Sequence, residues 1–64
     1  MKSKELREKD IKELKIIASD LRMSIGSDRM EISMNKSSKT HSINKSKRDL
    51  ARVLTVIKEK ELSE

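Results

Sequence analysis

Lys45-Ser46-Lys47-Arg48-Asp49-Leu50-Ala51-Arg52-Val53-Leu54-Thr55-Val56-Ile57-Lys58 is the stretch that decides the fold of this chain. Leu50, Val53, Leu54 and Ile57 recur at i, i+3, i+4 and i+7, which lines them up on one side of an α-helix. On the same rotation Lys45, Arg48 and Arg52 fall in a narrow arc on the far side. One face requires an apolar partner helix, and the other attracts anions.

The upstream sequence supplies that partner. From Ile11 onward Leu14, Ile17, Ala18, Leu21 and Ile25 repeat at helical spacing, with Ile32 two turns further on. Two long helices, about 10–34 and about 41–60, are therefore expected to form an antiparallel hairpin. Leu14, Ile17, Ala18, Leu21, Ile25, Leu50, Val53, Leu54 and Ile57 make its core. Between them Asn35-Lys36-Ser37-Ser38-Lys39-Thr40 has turn formers and no apolar residue, so 35–40 reads as the loop, with Ser38 or Thr40 capping the next helix. Glu61 to Glu64 reads as a fraying tail.

At the N-terminus, Met1 to Lys9 is charged and rich in helix formers. It predicts a short helix at about 3–9, capped by Ser3 and anchored by Leu6. Asp10 followed by Glu13 approximates a capping box and restarts the helical signal, so a break is expected near Lys9 and Asp10. The whole reads as one all-α domain spanning 1–64. Its weakest point is expected between Gly26 and Asp28, since Gly costs a helix interior up to about 1 kcal/mol and a carboxylate near an apolar stripe needs a partner or water.

Composition restricts what such a domain can do. The chain has 64 residues with no Trp, Tyr, Phe or Cys and a single Gly, so disulfides, structural zinc and a glycine-rich phosphate loop are all excluded. Neither a metal site, a cofactor nor a small-molecule substrate is expected, because two thin helices offer no enclosed pocket. His41 stands alone, without a second ligand or an acid–base partner in the sequence, and reads as an ordinary surface residue. The chain is not expected to be an enzyme. No apolar run approaches the roughly 20 residues that span a bilayer, and the N-terminus carries no signal-type apolar segment, so a cytoplasmic location is expected.

The charge is unevenly placed. Residues 35–48 carry Lys36, Lys39, Lys45, Lys47 and Arg48 with no acidic residue, and these five charges equal the formal +5 of the whole chain. A concentrated excess of this kind is the footprint of a polyanion site, or else a solvated basic loop. Without aromatic rings the chain lacks the usual platform for stacking unpaired bases, which leaves Lys/Arg contact with phosphates and recognition of folded RNA by shape. Arg48 and Arg52, one turn apart, suit bidentate phosphate contacts. A second stripe, Ile16, Met23, Met30 and Met34, runs opposite the core stripe. It is either a surface that meets another protein or a set of scattered exposed apolar residues.

Beyond these physical signals, Lys47-Arg48-Asp49-Leu50-Ala51-Arg52-Val53 resembles the signature of the large-subunit ribosomal protein L-twenty-nine family. The opening Lys2-Ser3-Lys4-Glu5-Leu6-Arg7 is similar to that family's usual start, and Arg29-Met30 matches a recurrent pair. The matches keep register across essentially the whole chain. The resemblance implies a structural constituent of the ribosome that binds large-subunit ribosomal RNA near the polypeptide exit tunnel and supports translation. Its neighbour would be ribosomal protein L-twenty-three, with factors that receive nascent chains close by.

By matching positions, the resemblance makes Lys2, Lys4, Arg7, Arg29, Lys47, Arg48 and Arg52 candidate RNA contacts, joined by Thr55 through its hydroxyl. Lys36, Lys39 and Lys45 of the basic segment complete the set. The chain departs from the pattern at Gly26 and Asp28, where members commonly carry bulky apolar residues, and in lacking a Gly in the turn, where Asn35 can take the left-handed role. The competing reading is a small helical protein–protein interaction module with no RNA role, using its two apolar stripes to pair with other helices.

Overall fold

A computed structural model describes residues 2–34 and 40–63. It is a rod of 45 × 17 × 14 Å built from three helices, α1 (Ser3–Arg7), α2 (Ile11–Ser33) and α3 (Thr40–Ser63), with no strand among the described residues. Cross-helix pairs fix the topology. Lys15, early in α2, meets Glu61 late in α3, while Asp28, late in α2, meets Ser42 early in α3. The two long helices are therefore antiparallel, and α1 packs against α3 at what we term the closed end, where Lys15 meets Glu61.

The start of α2 follows from its cap. Asp10 has extended backbone angles, and its carboxylate accepts from the Glu13 backbone N–H at 2.8 Å, satisfying a donor that has no partner within the helix. The break at Lys9 and Asp10 is where that cap requires it. At α1 the cap differs from expectation. Lys2 is the capping position and makes no side-chain cap, while Ser3 is already the first helical residue. What holds this single turn and a half is burial of Leu6, which is 2% exposed.

The core cluster is Leu6, Leu14, Ala18, Val53, Val56 and Ile57, with Ile17, Leu21 and Leu50 packed against it half-buried. Each fully buried Leu or Val in it removes enough apolar surface from water to contribute about 1.5–3 kcal/mol. The expected face of α3 needs a correction. Leu54, assigned to the core, is 39% exposed, whereas Val56 is buried at 2% and Ile43 at 7%. The buried face is centred on Val53 and turned by roughly 45° from the Leu50/Val53/Leu54/Ile57 stripe, at 100° per residue. The physical cause is α1. Leu6 joins Val56 in the cluster, so α3 has two apolar neighbours to satisfy and turns Leu54 outward.

α2 runs without interruption from Ile11 to Ser33, through Gly26 and Asp28. Asp28 is buried, 7% exposed, and accepts from the Ser42 hydroxyl at 3.4 Å. Ile25 is buried at 7%, outside the main cluster. At the other end of the chain, α3 extends through Glu61, Leu62 and Ser63, beyond the expected end near Lys60, and Glu64 lies outside the described residues. The expected loop at 35–39, with Ser38 as a cap and Asn35 in the turn, lies outside the described residues, and α3 begins at Thr40.

Candidate nucleic-acid interface

Every described basic residue singled out from the sequence points outward: Lys2, Lys4, Arg7, Arg29, Lys45, Lys47, Arg48 and Arg52 are all exposed. Lys36 and Lys39 lie outside the described residues. The exposed set divides by environment rather than forming one patch. Arg7 is engaged with Glu59 at 3.4 Å, tying α1 to α3. Arg52 reaches Asp49, one turn back, at 3.6 Å. Asp49 is itself only 9% exposed, so that pair lies partly against the helix surface. Thr55 donates its hydroxyl to the Ala51 carbonyl at 2.9 Å, which uses its hydrogen within the helix and leaves the oxygen outward.

The outer row of α3 is thus Lys45 and Arg48 with Arg52 beside them, on the side turned away from α2. A second group was not recognised as a group in the sequence. Arg22 and Arg29 share a stripe of α2 at i and i+7, and Lys47 arrives opposite them from α3. With Ile25, Gly26 and Leu50 they line an open groove of about 370 Å³ between the two helices. Arg22 was missed altogether. Its two-turn spacing from Arg29 was the available signal, but the approach of Lys47 depends on the register between the helices, which the pattern does not encode.

A larger cleft of about 500 Å³ lies where α1, the start of α2 and the end of α3 meet, lined by Arg7, Asp10, Ile11, Val56, Glu59, Lys60 and Ser63. Its cations stand beside carboxylates, so it presents little net field to an anion. No group of three or more His, Cys, Asp or Glu side chains able to hold a metal occurs among the described residues. No helix among them is long and apolar enough to cross a membrane. Ile16, Met23, Met30 and Met34 are 57%, 70%, 64% and 53% exposed, forming a row along α2 and its C-cap, away from the core.

Fold and site together define a small basic helical hairpin whose cations face outward, away from its core. The profile of the Ribosomal L29 protein family matches residues 4–60, and the chain belongs to that family. It is 40% identical over 60 residues to the large ribosomal subunit protein uL29 of Coprothermobacter proteolyticus, covering 94% of each chain. It is 42% identical over 60 residues to that of Sulfolobus acidocaldarius, covering 94% of this chain and 87% of the relative. With that of Ruminiclostridium cellulolyticum it shares 38% over 63 residues, covering 98% and 94%. The family makes this chain a structural constituent of the large ribosomal subunit, and not an enzyme.

Proposed function

We propose that the chain binds large-subunit ribosomal RNA through Lys/Arg contacts to phosphates, close to the polypeptide exit tunnel and beside ribosomal protein L-twenty-three. The observation that carries this reading is the position of Lys45 and Arg48. They are exposed on a face of α3 that takes no part in closing the hairpin, so the fold gains nothing from their charge. A polyanion would. With no aromatic residue to stack bases, contact falls on phosphates and on the shape of folded RNA.

Arg48 supplies the planar fork that matches a phosphate in two hydrogen bonds. Arg52 adds to it after exchanging Asp49 for phosphate, and so contributes less. The test is salt-dependent binding to deproteinised large-subunit RNA. Replacing Arg48 and Arg52 with Ala is expected to reduce the slope of log affinity against log salt by about one unit per lost contact. An unchanged slope removes them as contacts. For the location, cross-linking within intact large subunits is expected to join this chain to L-twenty-three.

A further inference from the structure

Three cations converge on the groove between α2 and α3, and no carboxylate lines it. Arg22, Arg29 and Lys47 are all exposed, and none has an ion-pair partner among the described residues. Like charges drawn together over the apolar floor of Ile25 and Leu50 repel one another, so their convergence does not help the hairpin close. It does concentrate positive potential at one place, and an anion there relieves the repulsion.

Gly26 makes the second observation. It lies in the groove lining, inside α2, where glycine costs about 1 kcal/mol relative to Ala. A Cβ added there would meet nothing within 4 Å, so internal packing does not require the glycine. What its missing side chain does provide is a bare stretch of helix backbone that a ligand can approach closely.

We infer that this groove seats a phosphodiester of the RNA backbone, held by Arg22, Arg29 and Lys47 over Gly26. The inference rests on the RNA-binding reading above and adds a second RNA face to it. Lys47 and Arg48 are neighbours in sequence and point about 100° apart around α3, one into the groove and one onto the outer row. Phosphates held in the groove and phosphates held on the outer row are therefore distinct contacts, made on two faces of the hairpin.

The test compares Arg22→Gln/Lys47→Gln, which strips the groove, with Arg48→Gln, which strips the outer row, each checked for helicity by circular dichroism. Affinity for deproteinised large-subunit RNA is measured across a salt series. The groove variant is expected to bind about tenfold more weakly at moderate salt and to lower the salt slope by about two units, additively with Arg48→Gln. Arg22→Lys/Lys47→Arg, which keeps both charges, is expected to restore the slope and also guards against a folding artefact. An unchanged slope in the groove variant, with a lowered slope in Arg48→Gln, overturns the groove and leaves the RNA reading standing. No change in either variant overturns both.

Two competitors complete the assay. If inorganic phosphate at constant ionic strength abolishes the contribution of the groove and spares the outer row, the groove belongs to free phosphate and not to RNA. If a polyglutamate peptide binds the wild-type protein but not the groove variant, while RNA affinity is the same for both, the seat is for an acidic protein. Either result overturns the proposal.

Discussion

The two ends of the hairpin are built on different principles. Around α1 the interior is continuous: Leu6, Leu14, Ala18, Val53, Val56 and Ile57 touch one another and exclude water. Toward the end of α2 and the start of α3 the buried apolar residues are Ile25 and Ile43, which stand outside that cluster, and two carboxylates, Asp28 and Asp49, occupy buried positions. The closed end is held by apolar burial, and the opposite end by polar contacts and the continuity of its helices. A chain of this size has little stability to spare. Most of it is concentrated at one end, while the groove with Gly26 lies toward the other.

The largest effect that can break this contrast is at Leu14, which is fully buried. Leu14→Ala is expected to cost about 2–5 kcal/mol, enough to abolish the cooperative thermal transition of so small a domain. Ile25→Ala is expected to cost less, because it opens no hole in the shared cluster. A larger loss at Ile25 in urea titration would put the stability centre in the wrong half. Next comes Asp28→Leu, which replaces a buried carboxylate with an apolar group one turn from Ile25. Ser42 is exposed and can turn its hydroxyl to water, but the polar contacts of a buried carboxylate are lost, so a cost of about 1–3 kcal/mol is expected. A rise in melting temperature would mean that apolar burial holds this end better than the polar contacts at Asp28 do.

Gly26→Ala sharpens the same point with a smaller change. The added methyl meets nothing, so only helix propensity acts, and a gain of up to about 1 kcal/mol is expected, or about 4–8 °C in melting temperature for each kcal/mol. A loss there would mean that the backbone at Gly26 is under a constraint that its surroundings do not reveal. The smallest effect is at the closed end. Arg7→Ala removes an ion pair to Glu59 whose side chains are 59% and 49% exposed, and at that exposure about 0.5 kcal/mol or less is expected, vanishing in high salt. A larger, salt-insensitive loss would show that α1 depends on the pair more than on Leu6.

The hairpin was legible because each long helix carries its apolar residues at a single period, and Asp10 with Glu13 marks where the second helix begins. Which side of α3 is buried was legible only in part. Leu54 and Val56 are equally apolar, and the choice between them depends on where α1 lies, a tertiary fact absent from the period. The outer basic row could be read from residues of one helix alone. The groove could not, because Lys47 joins Arg22 and Arg29 only once the helices are set in register. Asp28 misled for a related reason: from sequence it looked like a flaw in the stripe, and Ser42, its partner across the hairpin, is supplied by the fold.

The outward methionines have a practical consequence. Met23, Met30 and Met34 present their thioethers to solvent on the side of α2 away from the core. Mild peroxide treatment would turn them into polar sulfoxides without opening the interior. The folded chain therefore carries its own footprinting labels: comparing their oxidation in the free protein and in assembled particles reports, turn by turn, how much of that side is covered by a neighbour.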